Sequence, residues 1–361
     1  MKVSSVVGKG NVAMKRWMNR RQFLSTAMTA GAWLAGGAAP AVASPARPSA
    51  PSRLKEPWSG VFIIMQTPFL ETPGKEIDGE SLRREADFLV RCGAHGMVWP
   101  AGAGETAALS FNERIRYSEA IVKEARDRAP VLIGVHGANK AEAVDYARHA
   151  EKIGAHGMIA LPPTSGEVDE ELLTDYFTAI AAASKLPLCI QVQMPALISS
   201  QPSAGLMSVG YLIGLAKKLP TFRYVKEEIR PVPHRVSRYV AEARGLLTVM
   251  TGGGSRNLMN EMARGSRGTM PGAGFADVQA QVWDWYQEGR KKEARDLFAK
   301  MLMMAVLELH TGYVLQKEIL RRRGVFRTTT MRLTRGFAPM DKGDLDELDE
   351  VFEALRPYFK V

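Results

Sequence analysis

The stretch Gly93-Ala-His-Gly-Met97 occurs a second time as Gly154-Ala-His-Gly-Met158, with a weaker copy at Gly265-Ser-Arg-Gly-Thr-Met270. Each copy stands between an amphipathic stretch and a short apolar run. Its first glycine suits the left-handed residue that commonly follows the end of a helix, and its second glycine enters the apolar run. The repeated turn therefore predicts helix-to-strand connections that recur along the chain.

Residues 60–290 contain eight short apolar runs, each followed by an amphipathic stretch of about a dozen residues. This alternation predicts eight strands that are each followed by a helix. The predicted strands are Val61–Gln66, Gly96–Trp99, Val131–Val135, Gly157–Leu161, Leu188–Val192, Phe222–Lys226, Leu246–Met250 and Gly268–Met270. The predicted helices are Gly79–Arg91, Asn112–Arg128, Lys140–Ile153, Asp169–Ser184, Leu206–Lys218, Pro233–Arg244, Ser255–Ala263 and Ala276–Glu288.

Eight strand–helix units of this length predict an α/β fold, the (β/α)8 or TIM barrel, over residues 58–290. A doubly wound parallel sheet is the alternative, but that fold favours a glycine-rich nucleotide-binding turn after the first strand. Gln66-Thr-Pro-Phe69 stands at that position instead.

The remainder of the chain, residues 291–361, carries two more amphipathic patterns. The first runs from Lys291 to Arg323 with an interruption near Gly312, and the second covers Asp344–Leu355. We expect a C-terminal helical extension that packs on the barrel as part of the same domain.

The N-terminal residues 1–43 contain six basic residues and no acidic ones. Arg20-Arg21 precedes Phe23-Leu24, a weakly apolar segment rich in alanine and glycine, and Ala41-Val-Ala43. This order is typical of a twin-arginine signal peptide and its cleavage site, and the apolar segment is too short for a membrane span. Residues 44–57, rich in proline and serine, indicate a linker. We expect the twin-arginine translocase to export the protein to the periplasm, without a membrane anchor after processing.

Charge and composition exclude several classes of protein. Six of the ten net positive charges lie in residues 1–43, which leaves +4 on the rest of the chain. That part shows no basic patch with interleaved aromatic residues, so nucleic acid is not an expected partner. Cys92 and Cys189 stand far apart in apolar contexts and are expected as buried free thiols. The six histidines show no metal-ligand spacing, so neither a metal nor another cofactor is expected.

Lys226 ends the predicted sixth strand. In a TIM barrel, residues at the carboxyl ends of the strands carry the chemistry, and Lys226 is the one lysine at those positions. Desolvation favours the neutral form of a buried amine, and a neutral amine is a nucleophile towards ketones. The alternative is a lysine that reaches solvent at a strand end; the position in the barrel favours the Schiff-base role. His95 and His156 lie at the opposite end of the barrel and are expected to be structural.

Five sequence patterns, in order, resemble the dihydrodipicolinate synthase / N-acetylneuraminate lyase superfamily of Schiff-base lyases on a TIM barrel. They are Gly60-Val-Phe-Ile-Ile-Met-Gln-Thr-Pro-Phe69, Gly102-Ala-Gly-Glu105, Gly134-Val-His-Gly-Ala-Asn139, Val225-Lys-Glu227, and Gly265-x-x-Gly268 followed by Gly272. The resemblance covers about residues 58–358. It implies that Lys226 forms the Schiff base.

The same resemblance implies the substrate-binding residues. Gly102, Ala103 and Gly104 stand where the family has a turn for the carboxylate of a keto acid. Thr67 belongs to the Thr-Pro of the first pattern, and Gly272 belongs to the loop after the last strand. Gly252 follows strand seven, where barrels often bind phosphate, and tight loop geometry is the alternative reason for a glycine there.

Three departures separate the chain from dihydrodipicolinate synthases. The family's paired threonines are replaced by Gly102 and Ala103, its tyrosine after strand five by Gln191, and its Pro-Tyr-Tyr by Pro162-Pro-Thr164. With Met270-Pro-Gly-Ala-Gly274 in the last loop, the pattern resembles the L-2-keto-3-deoxyarabonate dehydratase-like members more closely.

The resemblance implies a lyase whose partner is a small-molecule 2-keto acid. Lys226 would form an iminium, which stabilises an enamine at C3, and expulsion of a C4 hydroxyl would dehydrate a 2-keto-3-deoxy sugar acid. His136 and Glu228 are candidate acid/base residues and Gln191 a hydrogen-bond donor, with a structural duty in the loops as the alternative for each. The resemblance and the helical tail together predict a homo-oligomer, a tetramer.

Two other functions remain open at this point. The same iminium would serve a class I aldolase, a carbon–carbon aldehyde-lyase that condenses pyruvate with an aldehyde. The missing hydroxyl groups would also suit an exported binding protein that has lost catalysis on the same fold.

Overall fold

Eight parallel strands close into a barrel in sequence order, with the last strand hydrogen bonded to the first. The computed structural model describes residues 54–163, 168–193, 206–333, 337 and 339–361. The strands are β1 Gly60–Ile64, β2 Gly96–Trp99, β3 Val131–Gly134, β4 Gly157–Ala160, β5 Leu188–Val192, β6 Phe222–Glu227, β7 Thr248–Thr251 and β8 Gly268–Thr269. The predicted (β/α)8 barrel is confirmed. The predicted signal peptide and most of the predicted linker lie outside the described residues.

A helix follows every strand of the barrel. These helices are α1 Gly79–Cys92, α2 Phe111–Ala125, α3 Lys140–Lys152, α4 Glu170–Ala183, α5 Val209–Lys218, α6 Val232–Ala243, α7 Leu258–Ala263 and α8 Ala276–Gln287. The C-terminal extension contributes α9 Lys291–Thr311, α10 Val314–Arg322 and α11 Lys342–Leu355. Gly312, with a φ of 65°, separates α9 from α10, which is the predicted interruption.

Local hydrogen bonds explain where element ends differ from the prediction. Strand β1 ends at Ile64 rather than Gln66, because the Gln66 N–H donates to the Glu85 carboxylate of α1 at 2.9 Å. Helix α5 begins at Val209 rather than at the predicted Leu206, because the Ser208 hydroxyl caps it by accepting from a backbone N–H of the first turn.

The repeated glycine turns have the conformation that the sequence predicts. Gly93, Gly154 and Gly265 have φ angles of 84°, 76° and 98°. At Gly93 the backbone N–H returns to the carbonyls of Leu89 and Val90, the pattern that ends a helix in a left-handed residue. Each turn thus stops a helix and aims the chain into the next strand.

An inner cluster of side chains fills the barrel, separate from the larger core between strands and helices. Its buried members are Trp58, Phe62, Ile64, Val98, Ala101, Leu132, Ile159, Cys189, Tyr224, Met250 and Met270. The Trp58 ring stacks on Tyr224 at 5.1 Å between centroids, and the Trp58 N–H donates to the Tyr224 hydroxyl at 2.9 Å. Because Trp58 precedes β1, this pair closes the amino end of the barrel.

Both histidines at the amino end have structural partners. His95 Nε2 lies 2.9 Å from the Asp284 carboxylate of α8, and His156 Nδ1 accepts from the Val131 N–H at 3.2 Å. Cys189 is a free buried thiol, and burial raises its pKa to about 12. Within the described ranges, no helix has the length and apolar character needed to cross a membrane.

Candidate active site

Strand alternation determines which polar side chains face the barrel interior. Successive residues of a strand point to opposite faces, and Tyr224 and Cys189 belong to the inner cluster. Lys226 and Glu228 follow Tyr224 at intervals of two, and Gln191 follows Cys189 in the same way. Register brings the two strands together, because Gln191 is the backbone partner of Lys226. Three of the predicted catalytic residues therefore meet at the carboxyl end of β5 and β6.

The Glu228 carboxylate is the centre of this group. Its Oε1 lies 3.4 Å from Lys226 Nζ and accepts from the Gly253 N–H at 3.0 Å. Its Oε2 accepts from Gln191 Nε2 at 2.9 Å. Lys226 is only 4% exposed and Gln191 only 1%. A carboxylate is thus fixed beside a buried amine by one donor from β5 and one from the loop after β7.

The Lys226 amine is buried and has the Glu228 carboxylate 3.4 Å away. The expectation from the sequence rested on burial alone. With Glu228 in place, the amine can pass a proton to the carboxylate at short range, so the pair can deliver a neutral nucleophile when a ketone arrives.

Gly252 is required by the packing of Glu228. A Cβ at residue 252 would lie 1.9 Å from Glu228 Oε1, which is far inside contact distance. The following N–H, of Gly253, is already occupied by the same carboxylate. The anion that the loop after β7 binds is therefore the carboxylate of Glu228. A direct contact between Gly252 and substrate stays a prediction.

Four glutamine side chains leave buried carboxamide oxygens without a partner among the described residues. They are Oε1 of Gln66, Gln191, Gln193 and Gln279. Gln66 shares the inward alternation of Phe62 and Ile64, and Gln193 lies near Gly102, since a Cβ built there would be 3.8 Å from Gln193 Nε2. A buried acceptor without a donor costs about 1–3 kcal/mol.

The turn at residues 102–105 is fixed to the barrel by Thr67. The Thr67 hydroxyl donates to the Gly104 carbonyl at 2.6 Å and accepts from Trp99 Nε1 at 3.0 Å. Gly104 itself has no room for a side chain, because a Cβ would lie 2.9 Å from the Met65 carbonyl. Ala103 packs against the inner cluster, so the turn lies over the mouth of the barrel. Thr67 positions this turn; its predicted contact with substrate stays a prediction.

His136 is the predicted acid/base residue that the structure does not join to the others. No hydrogen bond links it to Lys226, Gln191 or Glu228, all of which the structure describes. Burial and the positive charge of Arg114 lower its pKa to about 3. The imidazole is therefore neutral near pH 7, which suits a hydrogen-bonding role and not proton donation from an imidazolium.

Gly272 leaves space for a side chain from the C-terminal extension. A Cβ at residue 272 would lie 2.6 Å from the Gln316 side chain of α10. The Gln316 amide accepts from the Gly274 N–H at 2.8 Å and donates to the Glu308 carboxylate of α9 at 2.8 Å. The last barrel loop is thus supported by α9 and α10, and a contact between Gly272 and substrate stays a prediction.

Comparison with models of known protein families identifies the family of this chain. The model of the Dihydrodipicolinate synthetase family matches residues 57–355. The chain belongs to the dihydrodipicolinate synthetase family. Members of this family are lyases and aldolases. The predicted enzyme class, a lyase, agrees with this, and the substrate is left open.

Relatives in the family carry different names. The chain is 36% identical to the 4-hydroxy-tetrahydrodipicolinate synthase of Methanospirillum hungatei, over 34% of this chain and 43% of that protein. It is 25% identical to the synthase of Methanosphaerula palustris, over 83% of this chain and 99% of that one. It is 23% identical to the L-2-keto-3-deoxyarabonate dehydratase of Azospirillum brasilense, over 76% of this chain and 87% of that protein.

A solved family member shares the fold. It is a prophage protein of Escherichia coli K12 in complex with pyruvate, 22% identical, with a TM-score of 0.73 over 82% of this chain and 98% of that one. At this identity the likeness shows the barrel and leaves the substrate open.

The sequence analysis did not predict a buried ion pair behind the turn after β2. Lys317 of α10 lies 2.6 Å from the Glu105 carboxylate, and neither side chain is exposed. The available signal was a lysine on the apolar face of a helix, between Leu315 and Ile319, both of which are buried. Glu105 was quoted as part of that turn, but nothing in the sequence connected it to Lys317.

Proposed function

We propose that this family member forms an iminium between Lys226 and a 2-keto acid and dehydrates a 2-keto-3-deoxy sugar acid. One observation carries the proposal: a buried amine at a strand end, 3.4 Å from a carboxylate that two further donors hold in place. An amine without use would be a costly residue to bury at that point.

The first steps use Lys226 and Glu228 alone. Glu228 accepts a proton from the ammonium, and the neutral amine adds to the C2 carbonyl carbon of the substrate. The carbinolamine then loses its hydroxyl as water, with the proton returned by Glu228, and leaves the iminium. Gln191 cannot transfer a proton at neutral pH, because its amide only donates and accepts hydrogen bonds. In this mechanism Gln191 keeps the Glu228 carboxylate in place through its hydrogen bond.

The iminium then directs the chemistry to C3 and C4. It acidifies C3, and Glu228 is the base within reach of the lysine for the C3 proton. The enamine electrons expel the C4 hydroxyl, which leaves as water with the proton that Glu228 removed from C3. Hydrolysis of the iminium returns the product and the free lysine. The net reaction removes one water from the substrate.

The polar groups at the mouth favour dehydration over aldol cleavage. Cleavage of C3–C4 must remove a proton from the C4 hydroxyl, the task of a tyrosine in the family pattern, and Gln191 stands there. The tyrosine in the described inner cluster, Tyr224, is bonded to Trp58 at the closed end. The relative named L-2-keto-3-deoxyarabonate dehydratase, matched over 87% of its length, supports the same choice.

The glutamine amides at this end of the barrel would suit a polyhydroxy substrate. The carboxamide oxygens of Gln66, Gln191 and Gln193 are buried and have no protein donor in the described chain, so these side chains would rotate to receive hydroxyl groups. A sugar acid carries hydroxyl donors along its length, whereas pyruvate carries none. The backbone of the turn at residues 102–104 would receive the carboxylate, in place of the hydroxyl pair that Gly102 and Ala103 lack.

Product analysis tests this proposal. Purified protein is incubated with a small panel of 2-keto-3-deoxy pentonic and hexonic acids, and products are followed by mass spectrometry. Loss of one water from a substrate, abolished in Lys226→Ala, is the expected result. Release of pyruvate would identify an aldolase instead. No turnover and no adduct with any keto acid would refute the proposal in favour of a binding protein.

A further inference from the structure

We propose that the buried ion pair of Lys317 and Glu105 positions the substrate-carboxylate turn, so that helix α10 controls the affinity for keto acids. This inference rests on the proposed function, since it assumes that residues 102–104 receive the carboxylate. Lys317 is a positioning residue in this account, because it is buried and acts only through Glu105.

The ion pair is enclosed and well bonded. Lys317 Nζ lies 2.6 Å from Glu105 Oε1, across 212 residues of sequence, and both side chains are 0% exposed. The same ammonium donates to the Thr330 carbonyl at 2.7 Å and lies 4.5 Å from the centre of the Phe69 ring. A buried charge pair is kept at a desolvation cost unless its hydrogen bonds are satisfied, and here the lysine has two oxygen acceptors and an aromatic face.

The other oxygen of Glu105 holds a second segment. Glu105 Oε2 accepts from the backbone N–H groups of Arg332 and Leu333, at 2.9 and 2.7 Å. Residues 328–333, which we call the strap, follow α10 and cross the loops after β1 and β2. The Thr328 hydroxyl donates to the Phe69 carbonyl at 2.7 Å. One carboxylate therefore joins α10, the strap and the turn.

Glu105 is the residue that fixes the free end of the turn. Its φ of 56° is left-handed, a conformation that residues with a side chain seldom adopt. Its N–H closes the turn on the Gly102 carbonyl. Thr67 fixes Gly104 from the barrel side through its hydroxyl. Glu105 fixes the outer side of the turn through its ion pair with Lys317. Between these two anchors, Gly102 and Ala103 are half-buried and face the mouth.

Glu85 of α1 is a second buried carboxyl group at this end of the barrel, and its Oε1 accepts from the Gln66 N–H at 2.9 Å. Burial raises the pKa of Glu85 well above its usual range, and the bond from Gln66 and the charge of Lys317 oppose that shift. Among the described residues the Lys317 ammonium donates to Glu105 and to Thr330, so Glu105 is its link to the turn after β2.

The test separates carboxylate recognition from general damage by comparing two ketones. Adducts on Lys226 are trapped with borohydride over a range of concentrations of pyruvate and of hydroxyacetone, which has no carboxylate. Lys317→Met should raise the half-saturating concentration of pyruvate at least about tenfold, the effect of weakening one hydrogen bond to a charged group. The maximal trapping rate and the response to hydroxyacetone should stay close to wild type.

Two further variants keep the test decisive. Lys75→Met is the matched control, because the exposed Lys75 donates to the Met331 carbonyl of the strap at 2.9 Å without touching Glu105; it should behave as wild type. Glu105→Gln retains the size of the side chain and one acceptor oxygen, so it provides a folded variant if Lys317→Met does not fold. It should also raise the half-saturating concentration of pyruvate and leave the response to hydroxyacetone close to wild type.

Each outcome has one meaning. An unchanged pyruvate response in folded Lys317→Met or Glu105→Gln, or an equal loss for both ketones, would overturn the positioning role. Wild-type protein that forms no adduct would overturn the proposed function, and this inference with it. A wild-type adduct with unaffected variants would overturn this inference alone.

Discussion

Replacing Gly252 with alanine tests whether Glu228 acts through its exact placement beside Lys226. An alanine Cβ would lie 1.9 Å from Glu228 Oε1 and 2.6 Å from its Cδ. The carboxylate must therefore leave its place. The backbone of residue 252 has a φ of −126°, outside the left-handed region, so the φ angle by itself does not require glycine.

The size of the effect follows from the contacts that are lost. Glu228 would give up the Gln191 bond of 2.9 Å and the Gly253 bond of 3.0 Å, and its 3.4 Å approach to Lys226. Hydrogen bonds to a charged group contribute about 1.5–3 kcal/mol each. A displaced acid/base group lowers a rate by about 10²–10⁴-fold. We expect iminium formation to slow by about 100-fold, the lower end of that range, because the carboxylate is moved and not removed.

The assay is the rate of adduct formation with pyruvate, quenched by borohydride at timed intervals. Glu228→Gln should slow the reaction at least as much, because an amide keeps the size of the side chain but cannot accept the proton. Gly214→Ala is the matched control, since no atom lies within 4 Å of a Cβ built on Gly214 in α5. A Gly252→Ala rate within about threefold of wild type would refute the acid/base assignment of Glu228.

Three further predictions concern stability, export and assembly. Burial raises the pKa of Glu261 from 4.5 to about 7, so the native state holds this proton more tightly than the unfolded state. The resulting stabilisation is complete below about pH 4.5 and is lost as pH rises towards 7, by about 3 kcal/mol; Glu261→Gln should flatten that part of the urea-unfolding profile, and an unchanged profile would contradict it. Replacing Arg20 and Arg21 with lysine should retain the precursor in the cytoplasm on cell fractionation, and normal export would refute the signal-peptide assignment. Light scattering at micromolar concentration should give the mass of a tetramer, and a monomer would argue against the predicted assembly.

Local sequence patterns were sufficient to predict the barrel. Apolar runs, capping residues and the glycines at 93, 154 and 265 act over a few residues, so they can be interpreted without knowing the fold. Alternation along β6 puts Lys226 on the face of the inner Tyr224, because residues two positions apart share a face. Once the barrel was predicted, the end of β6 followed as a place where a nucleophile is expected.

The contacts between distant parts of the chain could not be predicted in this way. The ion pair of Lys317 and Glu105 joins residues 212 positions apart, and no periodicity links α10 to the turn after β2. The lowered pKa of His136 has burial as its first cause and the charge of Arg114, which approaches from another element, as its second. The glycine at 252 was expected to serve either an anion site or a tight loop, and the structure shows the carboxylate of Glu228 as its packing partner.

The most direct test of the central claim is the identity of the residue that borohydride traps. Protein incubated with pyruvate or a 2-keto-3-deoxy acid is reduced, digested and examined by mass spectrometry. The account predicts a covalent mass gain on the peptide that contains Lys226, and its absence in Lys226→Ala and in Lys226→Arg, whose guanidinium stays protonated. An adduct on a different lysine, or none with any keto acid, would contradict it.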